Sequence, residues 1–236
     1  MKVKFYTDKS FDNKKTKPRD IRNIVMSSLS SVDVRAADIA GNKDKENHSQ
    51  SFFVYPKPRS RSFEILHYGN DLNTLALIEA VLIGKVVNLS GTEVKIARCE
   101  WIKENYVLPA PALMLYKTRT PIVISVNPIE HKIVHSRAKN DSLDVFIEQK
   151  IKDVIKLQIK QFFNKEIQID DLKIKIIEKN KVTVSADEEG KKYSQAVFVT
   201  FASNYKLPRF VGYWNGLGYG ELLDGSLQHK KIIEIK

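Results

Sequence analysis

The residues of this sequence that are best suited to chemistry lie between positions 43 and 61. His48 is the strongest candidate for proton transfer, because an ordinary histidine pKa of about 6.5 serves an acid or a base near neutral pH. Tyr55 follows in a strand-like segment and could donate or accept a proton or align a hydroxyl group. The basic residues that could hold a phosphate beside them are Lys57, Arg59 and Arg61, with Lys43 and Lys45 as alternatives.

Each of these residues also has an explanation that involves no chemistry. His48 lies in a polar stretch, residues 41–50, where an exposed histidine would be ordinary. Tyr55 would serve equally well as a packing residue in the core or at its rim. The basic side chains are better suited to positioning a phosphate than to reacting with it, and charge in a turn is commonly just solvated.

A second notable feature is the cluster of glycines near the C-terminus, in residues 210–222. The four glycines there are Gly212, Gly216, Gly218 and Gly220. Glycine at this density lets the backbone approach a ligand closely, and the interleaved aromatic residues add stacking surfaces. The cluster therefore indicates a loop that holds a phosphate backbone through main-chain N–H groups. The alternative is a tight turn before a final strand; a nucleotide-binding fingerprint is excluded because no helix follows the glycines.

Composition favours a nucleic acid as the partner. The 236-residue chain has a formal net charge of +11 and a pI of about 9.5. Residues 1–61 hold 14 lysines and arginines against 7 acidic residues, close to the aromatic residues Phe52, Phe53 and Tyr55. A membrane protein is not expected, because no apolar run approaches the roughly 18 residues of a membrane helix and the N-terminus lacks a signal-peptide core. A single cysteine, Cys99, fits a reducing compartment, so we expect a soluble, cytoplasmic protein.

Metal chemistry is not predicted. His131 and His135 are four residues apart, but the residues between them favour a strand, on which that spacing covers about 13 Å, too far for one ion. His67 alternates with apolar residues and fits a strand end, although it could reach the same cleft as His48. No constellation of carboxylates suggests a two-metal nuclease, so we expect neither a metal nor another cofactor.

Periodicity predicts the order β-α-β-β-α-β in the first part of the chain. Strands are predicted at residues 2–7, 51–55, 62–67 and 93–101, and helices at residues 18–29 and 72–82. Asp71 is the expected N-cap of the second helix. This order is that of the ferredoxin-like, or RRM-like, fold.

The second part of the chain begins again with strands. Residues 106–111 are expected to join the units; strands are predicted at 113–116, 122–126, 173–177, 181–185, 197–202 and 232–235, and a long helix at 143–163. The predicted fold class is therefore α+β, with tandem ferredoxin-like units at residues 1–105 and 106–236. The first unit would carry the candidate catalytic site and the second the glycine-rich loop.

Several of these features together resemble a known family. They are the N-terminal helix, the His48-x6-Tyr55 segment before a strand pair, the segment Tyr116-Lys-Thr-Arg-Thr-Pro-Ile-Val-Ile124, the long helix and the terminal Gly-x-Gly-x-Gly. The chain resembles the CRISPR repeat-processing endoribonucleases, numbered six among the CRISPR-associated proteins, of the RAMP superfamily. Its glycines are more closely spaced than is usual in that family.

The resemblance implies a role in antiviral defence through crRNA processing. The expected reaction is metal-independent cleavage of precursor CRISPR RNA within repeats, by 2′-hydroxyl attack, giving 2′,3′-cyclic phosphate and 5′-hydroxyl ends. His48 and Tyr55 would be catalytic, and the expected partners are CRISPR repeat RNA and other CRISPR-associated effector subunits, with the protein a monomer or homodimer. The alternative is a non-catalytic, RNA-binding RAMP subunit of a CRISPR effector complex.

Overall fold

The computed structural model divides the chain into two units. It describes residues 1–41, 51–69, 71–103, 108–125, 140–163, 171–185, 193–212, 218–223 and 226–227. The first unit comprises Met1–Glu104, Gln161–Asn164 and Gly216–Gly218, and the second comprises Asn105–Lys160, Lys165–Asn215 and Tyr219–Lys236. Among the helices that the structure describes, none has the length and apolar composition that a bilayer crossing requires.

The first unit is built on a five-stranded antiparallel sheet. Its strands are β1 (Lys2–Thr7), β2 (Ser51–Val54), β3 (Ser62–Gly69), β4 (Val86–Leu89) and β5 (Thr92–Ile102), and its helices are α1 (Pro18–Ser30), α2 (Val34–Ala40) and α3 (Leu72–Leu82). The strand order is β2-β3-β1-β5-β4, with β1 between β3 and β5. This is the ferredoxin-like order with β4 added at one edge as a hairpin with β5.

Alternating and helical apolar residues form the core of this unit. In β1, Val3 and Phe5 are fully buried while Lys4 and Tyr6 remain partly exposed, as a strand with one covered face requires. Phe5 stacks on Phe63 of β3 with 5.1 Å between ring centroids. The helices bury one face each against these strands, through Ile21, Val25 and Leu29 of α1 and Leu75, Ile78 and Leu82 of α3.

The boundaries of α3 match the prediction, and its cap is confirmed. The Asp71 carboxylate accepts hydrogen bonds from the Thr74 backbone N–H at 3.1 Å and from the Thr74 hydroxyl at 2.6 Å. Two elements of the first unit were not predicted, α2 and β4. The seven residues of α2 are too few to establish a helical period, although Asp33 caps the helix by accepting from the Ala36 N–H at 3.0 Å.

The second unit has the ferredoxin-like strand order with an interrupted first strand. Its strands are β6 (Leu108–Lys117), β7 (Ile122–Ser125), β8 (Ile174–Ser185), β9 (Tyr193–Lys206) and β10 (Ser226–Leu227), and its helix is α4 (Asn140–Phe163). Strand β9 pairs with β8 on one side and with both β6 and β7 on the other, and β10 pairs with β6. Between β9 and β10, the described residues 207–212 and 218–223 contain no helix.

Two details of the second unit correct the sequence-based assignment. The expected joint at residues 106–111 overlaps β6, and the pairing of β6 with β9 shifts register between Pro109 and Met114, where prolines without N–H groups can be tolerated. The two strands predicted at 173–177 and 181–185 form one strand, β8, with an irregularity between Ile176 and Glu178. The strand predicted at 232–235 lies outside the described residues.

The end of the glycine-rich segment is closed by short backbone contacts. The Gly220 N–H donates to the Pro121 carbonyl at 3.0 Å, and the Gly220 carbonyl accepts from the Val211 N–H at 3.0 Å. Gly220 has a φ of +77°, and a Cβ atom at this position would overlap the Val211 carbonyl. Only glycine therefore fits here without moving the backbone.

We expect Gly220→Ala to lower the free energy of unfolding by about 3 kcal/mol or more, because it adds steric overlap to an unfavourable φ. Gly91→Ala is the matched control: its φ is +84°, and a Cβ atom there has no described neighbour within 4 Å. In the control, the free energy of unfolding should fall by only about 1–2 kcal/mol, the cost of a positive φ at alanine. Urea unfolding of both variants measures the difference, and equal losses would contradict the overlap.

Candidate nucleic-acid interface

A basic turn, Lys57–Arg61, connects β2 to β3 and presents three exposed cations. Lys57, Arg59 and Arg61 are exposed, whereas the intervening Pro58 is buried. The backbone closes the turn, since Arg59 donates to the Ser62 carbonyl at 2.8 Å and Ser62 donates to the Arg59 carbonyl at 3.1 Å. The structure thus brings the three predicted phosphate-binding side chains together on one tight connection.

The basic turn is attached to the chain that follows β1. The Thr7 N–H donates to the Arg61 carbonyl at 3.1 Å, and the Phe11 N–H donates to the Ser60 carbonyl at 2.8 Å. The Arg61 Nε also donates to the Ser10 hydroxyl at 3.0 Å. These bonds restrict the backbone of the turn, so its charges are held on a defined surface.

Gly218 of the glycine-rich segment lies in the first unit, close to the start of this turn. A Cβ atom at Gly218 would be 2.7 Å from the Pro18 side chain, in the first turn of α1, and 3.6 Å from the Tyr55 carbonyl oxygen. The lack of a side chain at Gly218 therefore allows the segment to approach both the N-terminus of α1 and the end of β2. The glycine-rich segment, the first turn of α1 and the end of β2 are remote in sequence and lie together around Gly218.

Tyr55 is fully buried in the first unit. Its hydroxyl donates to the Ala40 carbonyl at 2.9 Å, in the last turn of α2. Burial raises the pKa of the Tyr55 phenol well above its ordinary value, and the nearby positive charge of Arg22 only partly opposes that rise. The position favours a packing and anchoring role, and the predicted catalytic role of Tyr55 stays a prediction.

A second side chain holds the same end of α2. The Arg22 Nη2 donates to the Gly41 carbonyl at 2.5 Å, next to the carbonyl that Tyr55 holds. The chain then enters residues 42–50, which lie outside the described residues and contain His48, Lys43 and Lys45. Tyr55 and Arg22 therefore fix the point from which the segment with the predicted catalytic histidine departs.

The other glycines differ in their surroundings. Gly212 packs on β7, because a Cβ atom there would be 2.7 Å from the Ile122 Cγ2 and 3.2 Å from the Val123 carbonyl oxygen. Gly220 uses its N–H within the protein, in the hydrogen bond to the Pro121 carbonyl. Packing alone thus explains Gly212 and Gly220, and RNA contacts by either stay a prediction. Gly216 lies outside the described residues.

Among the other titratable groups, His67 is a packing residue of β3. It is fully buried and stacks on Phe53 with 4.6 Å between ring centroids. His131 and His135 lie outside the described residues. Within the part of the chain that the structure describes, no three histidine, cysteine or acidic side chains are grouped so that they could hold a metal ion.

A charged cluster in the second unit was missed by the sequence analysis. Glu221 is only 2% exposed, and its Oε1 lies 2.7 Å from the Arg209 Nη2 and 3.6 Å from the Arg119 Nη1. No local pattern identifies such a cluster, because its members are far apart in sequence. Arg119 lies in the Tyr116–Ile124 segment and Glu221 in the glycine-rich segment, but nothing in either segment indicates that the two side chains pair.

Comparison with solved structures identifies the fold, whereas comparisons with protein-family models and with curated protein sequences gave no match. A crystal structure of Cas6b is similar to this chain, with a TM-score of 0.65 and 16% sequence identity. The alignment covers 95% of this chain and 100% of the Cas6b chain. The chain has a Cas6-type RAMP fold. A RAMP protein that binds different RNA substrates matches 94% of this chain and 98% of its own, with a TM-score of 0.58 and 12% identity. A structure of the CRISPR RNA processing endoribonuclease Cas6b matches 95% and 100%, with a TM-score of 0.56 and 16% identity.

The Cas6-type fold explains the double ferredoxin-like order and confirms the predicted fold class. At such low identity the likeness concerns the path of the backbone, and the roles of individual side chains have to be argued from their own surroundings. Those surroundings distinguish the exposed basic turn, which is suited to bind phosphate, from the buried Tyr55, which is suited to support α2.

Tyr55→Phe should lower the free energy of unfolding by about 1–3 kcal/mol, because the buried Ala40 carbonyl loses its hydrogen-bond partner. Tyr6→Phe is the control, since the Tyr6 hydroxyl bonds to the exposed Glu100 carboxylate at 2.8 Å. We expect about 0.5 kcal/mol or less for that surface change. Urea unfolding compares the two, and a loss in Tyr55→Phe no larger than in Tyr6→Phe would contradict the anchoring role.

The basic turn should contribute to RNA binding in a salt-dependent way. Arg59→Glu with Arg61→Glu should weaken binding of single-stranded RNA more than Lys156→Glu with Lys173→Glu, a charge reversal at two exposed lysines of the second unit. Each lost phosphate contact should lower the slope of log affinity against log salt by about 0.7. Fluorescence anisotropy at several salt concentrations measures both quantities. Equal slopes in the two double variants would show that the basic turn does not contact the RNA.

Proposed function

We propose that this protein is a metal-independent endoribonuclease that cleaves precursor CRISPR RNA within its repeats. The observation that carries the proposal is the match of nearly the whole chain to nearly the whole of the Cas6b structures, one of which is a CRISPR RNA processing endoribonuclease. The strong positive charge and the exposed basic turn of the first unit support an RNA substrate. Other CRISPR-associated effector subunits are proposed as further partners.

The proposed reaction is an internal transesterification of the RNA. The 2′-oxygen attacks the adjacent phosphorus, a bond forms between them, and the bond from phosphorus to the 5′-oxygen breaks. A base takes the proton of the 2′-hydroxyl, and an acid gives a proton to the 5′-oxygen. The products are a 2′,3′-cyclic phosphate and a 5′-hydroxyl, and neither water nor a redox partner is consumed.

His48 is the residue to which we assign proton transfer. Histidine is the side chain whose ordinary pKa, about 6.5, lies nearest to neutral pH, so an imidazole can act as the acid or as the base. Tyr55 is the second predicted member of the site, and its bond to the Ala40 carbonyl supports an indirect contribution. In this assignment Tyr55 and Arg22 support the end of α2, from which the chain continues toward His48.

Lys57, Arg59 and Arg61 are assigned to the RNA backbone. Contacts to phosphates position a strand and account for much of the affinity, while sequence is read elsewhere. Positive charge near the scissile phosphate would also stabilise the extra negative charge that develops during attack. The same residues can therefore serve both binding and the reaction.

His48→Ala should lower the rate of single-turnover cleavage of a CRISPR repeat RNA by about 10²- to 10⁴-fold, because one acid or base is lost. RNA affinity should stay nearly unchanged, since the imidazole is one contact among many. The measurement combines rapid-quench cleavage with anisotropy in the presence of EDTA. Cleavage by His48→Ala at the wild-type rate would mean that another residue transfers the proton.

The substrate supplies an independent control. Replacing the 2′-hydroxyl next to the scissile phosphate with hydrogen should abolish cleavage and leave binding intact, because only the nucleophile is removed. Cleavage of this deoxy substrate, or a requirement for Mg²⁺, would refute the mechanism. Specific RNA binding by the wild-type protein without any cleavage would instead fit a non-catalytic RNA-binding RAMP subunit.

A further inference from the structure

The end of β6 and the chain directly after it present two exposed cations. Lys117 and Arg119 are exposed, and Thr118 between them is buried. The Thr118 N–H donates to the Val199 carbonyl at 3.0 Å, and the Thr118 hydroxyl accepts from the Val199 N–H at 3.0 Å. Thr118 also forms an antiparallel bridge with Leu222, and both of its neighbours are exposed, so the two cations reach solvent on either side of one fixed residue.

The carboxylate of Glu221 lies behind Arg119. Its Oε1 accepts hydrogen bonds from Arg209, from Nε at 3.1 Å and from Nη2 at 2.7 Å. The Arg119 Nη1 is 3.6 Å from the same oxygen, and the Arg119 side chain is 49% exposed. One guanidinium is enough to neutralise a buried carboxylate, so the positive charge of Arg119 is in excess.

Main-chain hydrogen bonds hold this arrangement in place. The Arg119 N–H donates to the Glu221 carbonyl at 2.7 Å, and the Leu223 N–H donates to the Lys117 carbonyl at 2.9 Å. The Glu221 N–H donates to the Thr120 hydroxyl at 2.8 Å. The backbones that carry both cations are therefore fixed before any ligand arrives, which lowers the entropic cost of binding.

We propose that Lys117 and Arg119 form a phosphate-binding site for an RNA strand, with Arg209 and Glu221 as the pair that positions Arg119. The inference rests on the proposed function, because it takes RNA as the ligand. Two cations on alternate residues suit neighbouring phosphates of one strand, and a guanidinium can bind two phosphate oxygens at once. The negative charge of Glu221 opposes an RNA strand little, since Arg209 already compensates it.

The test is the salt dependence of RNA binding in Lys117→Ala with Arg119→Ala. Loss of two single-strand phosphate contacts should lower the log–log slope by about 1.4 and weaken binding about tenfold near ~0.15 M salt. The control, Lys156→Ala with Lys173→Ala, removes the same charge from two other exposed residues of this unit. It should change the slope little, because neither lysine belongs to the proposed site.

Two further variants keep the result interpretable. Arg119→Lys retains the charge and should recover most of the slope, which a purely structural role would not predict. Should the double alanine variant fail to fold, Arg119→Gln alone should still lower the slope by about 0.7. Equal slopes for the double alanine variant and its control would overturn this inference and leave the proposed function standing. Failure of the wild-type protein to bind RNA would overturn both.

Discussion

The buried carboxylate of Glu221 is the constraint on which the arrangement of the second unit's glycine-rich end depends. A carboxylate that is almost removed from water must be compensated, and here Arg209 and Arg119 provide the charge. The main chain of Glu221 also binds the segment that interrupts the first strand of the unit. Through these bonds, one residue connects the segment between β6 and β7 to the chain that follows β9.

The same constraint explains why glycine is needed at nearby positions. When the chain around Glu221 is held against its neighbours, Gly220 must lie directly against the Val211 backbone, and Gly212 must lie against β7. Neither position leaves room for a Cβ atom. Gly218 differs, because its close neighbours are α1 and the end of β2 in the first unit. A cluster that looks uniform in sequence therefore serves at least two different contacts.

In the first unit, different side chains support the backbone and face the solvent. Tyr55 and Arg22 direct their polar groups inward, to two successive carbonyls at the end of α2. The basic turn begins two residues after Tyr55 and directs its cations outward. A rigid sheet with a buried anchor and an exposed charged connection is suited to hold a phosphate chain in a fixed place. The sequence predicted the cations well, since charge in a Pro-containing turn is usually exposed, but it did not distinguish a buried tyrosine from a reactive one.

The sequence by itself determined the ferredoxin-like order, β1, α1 and α3, because strand alternation, helical spacing and the Asp71 cap are local signals. It also determined the basic character of the first sixty residues. Only the tertiary structure decided the burial of Tyr55, the single long strand β8 and the pairing of Glu221 with Arg119. Those features depend on partners far away in the chain, and pairing over such distances leaves no periodic pattern in the residues themselves. The physical reason is that local conformation follows neighbouring residues, whereas burial and charge compensation follow whatever the fold brings into contact.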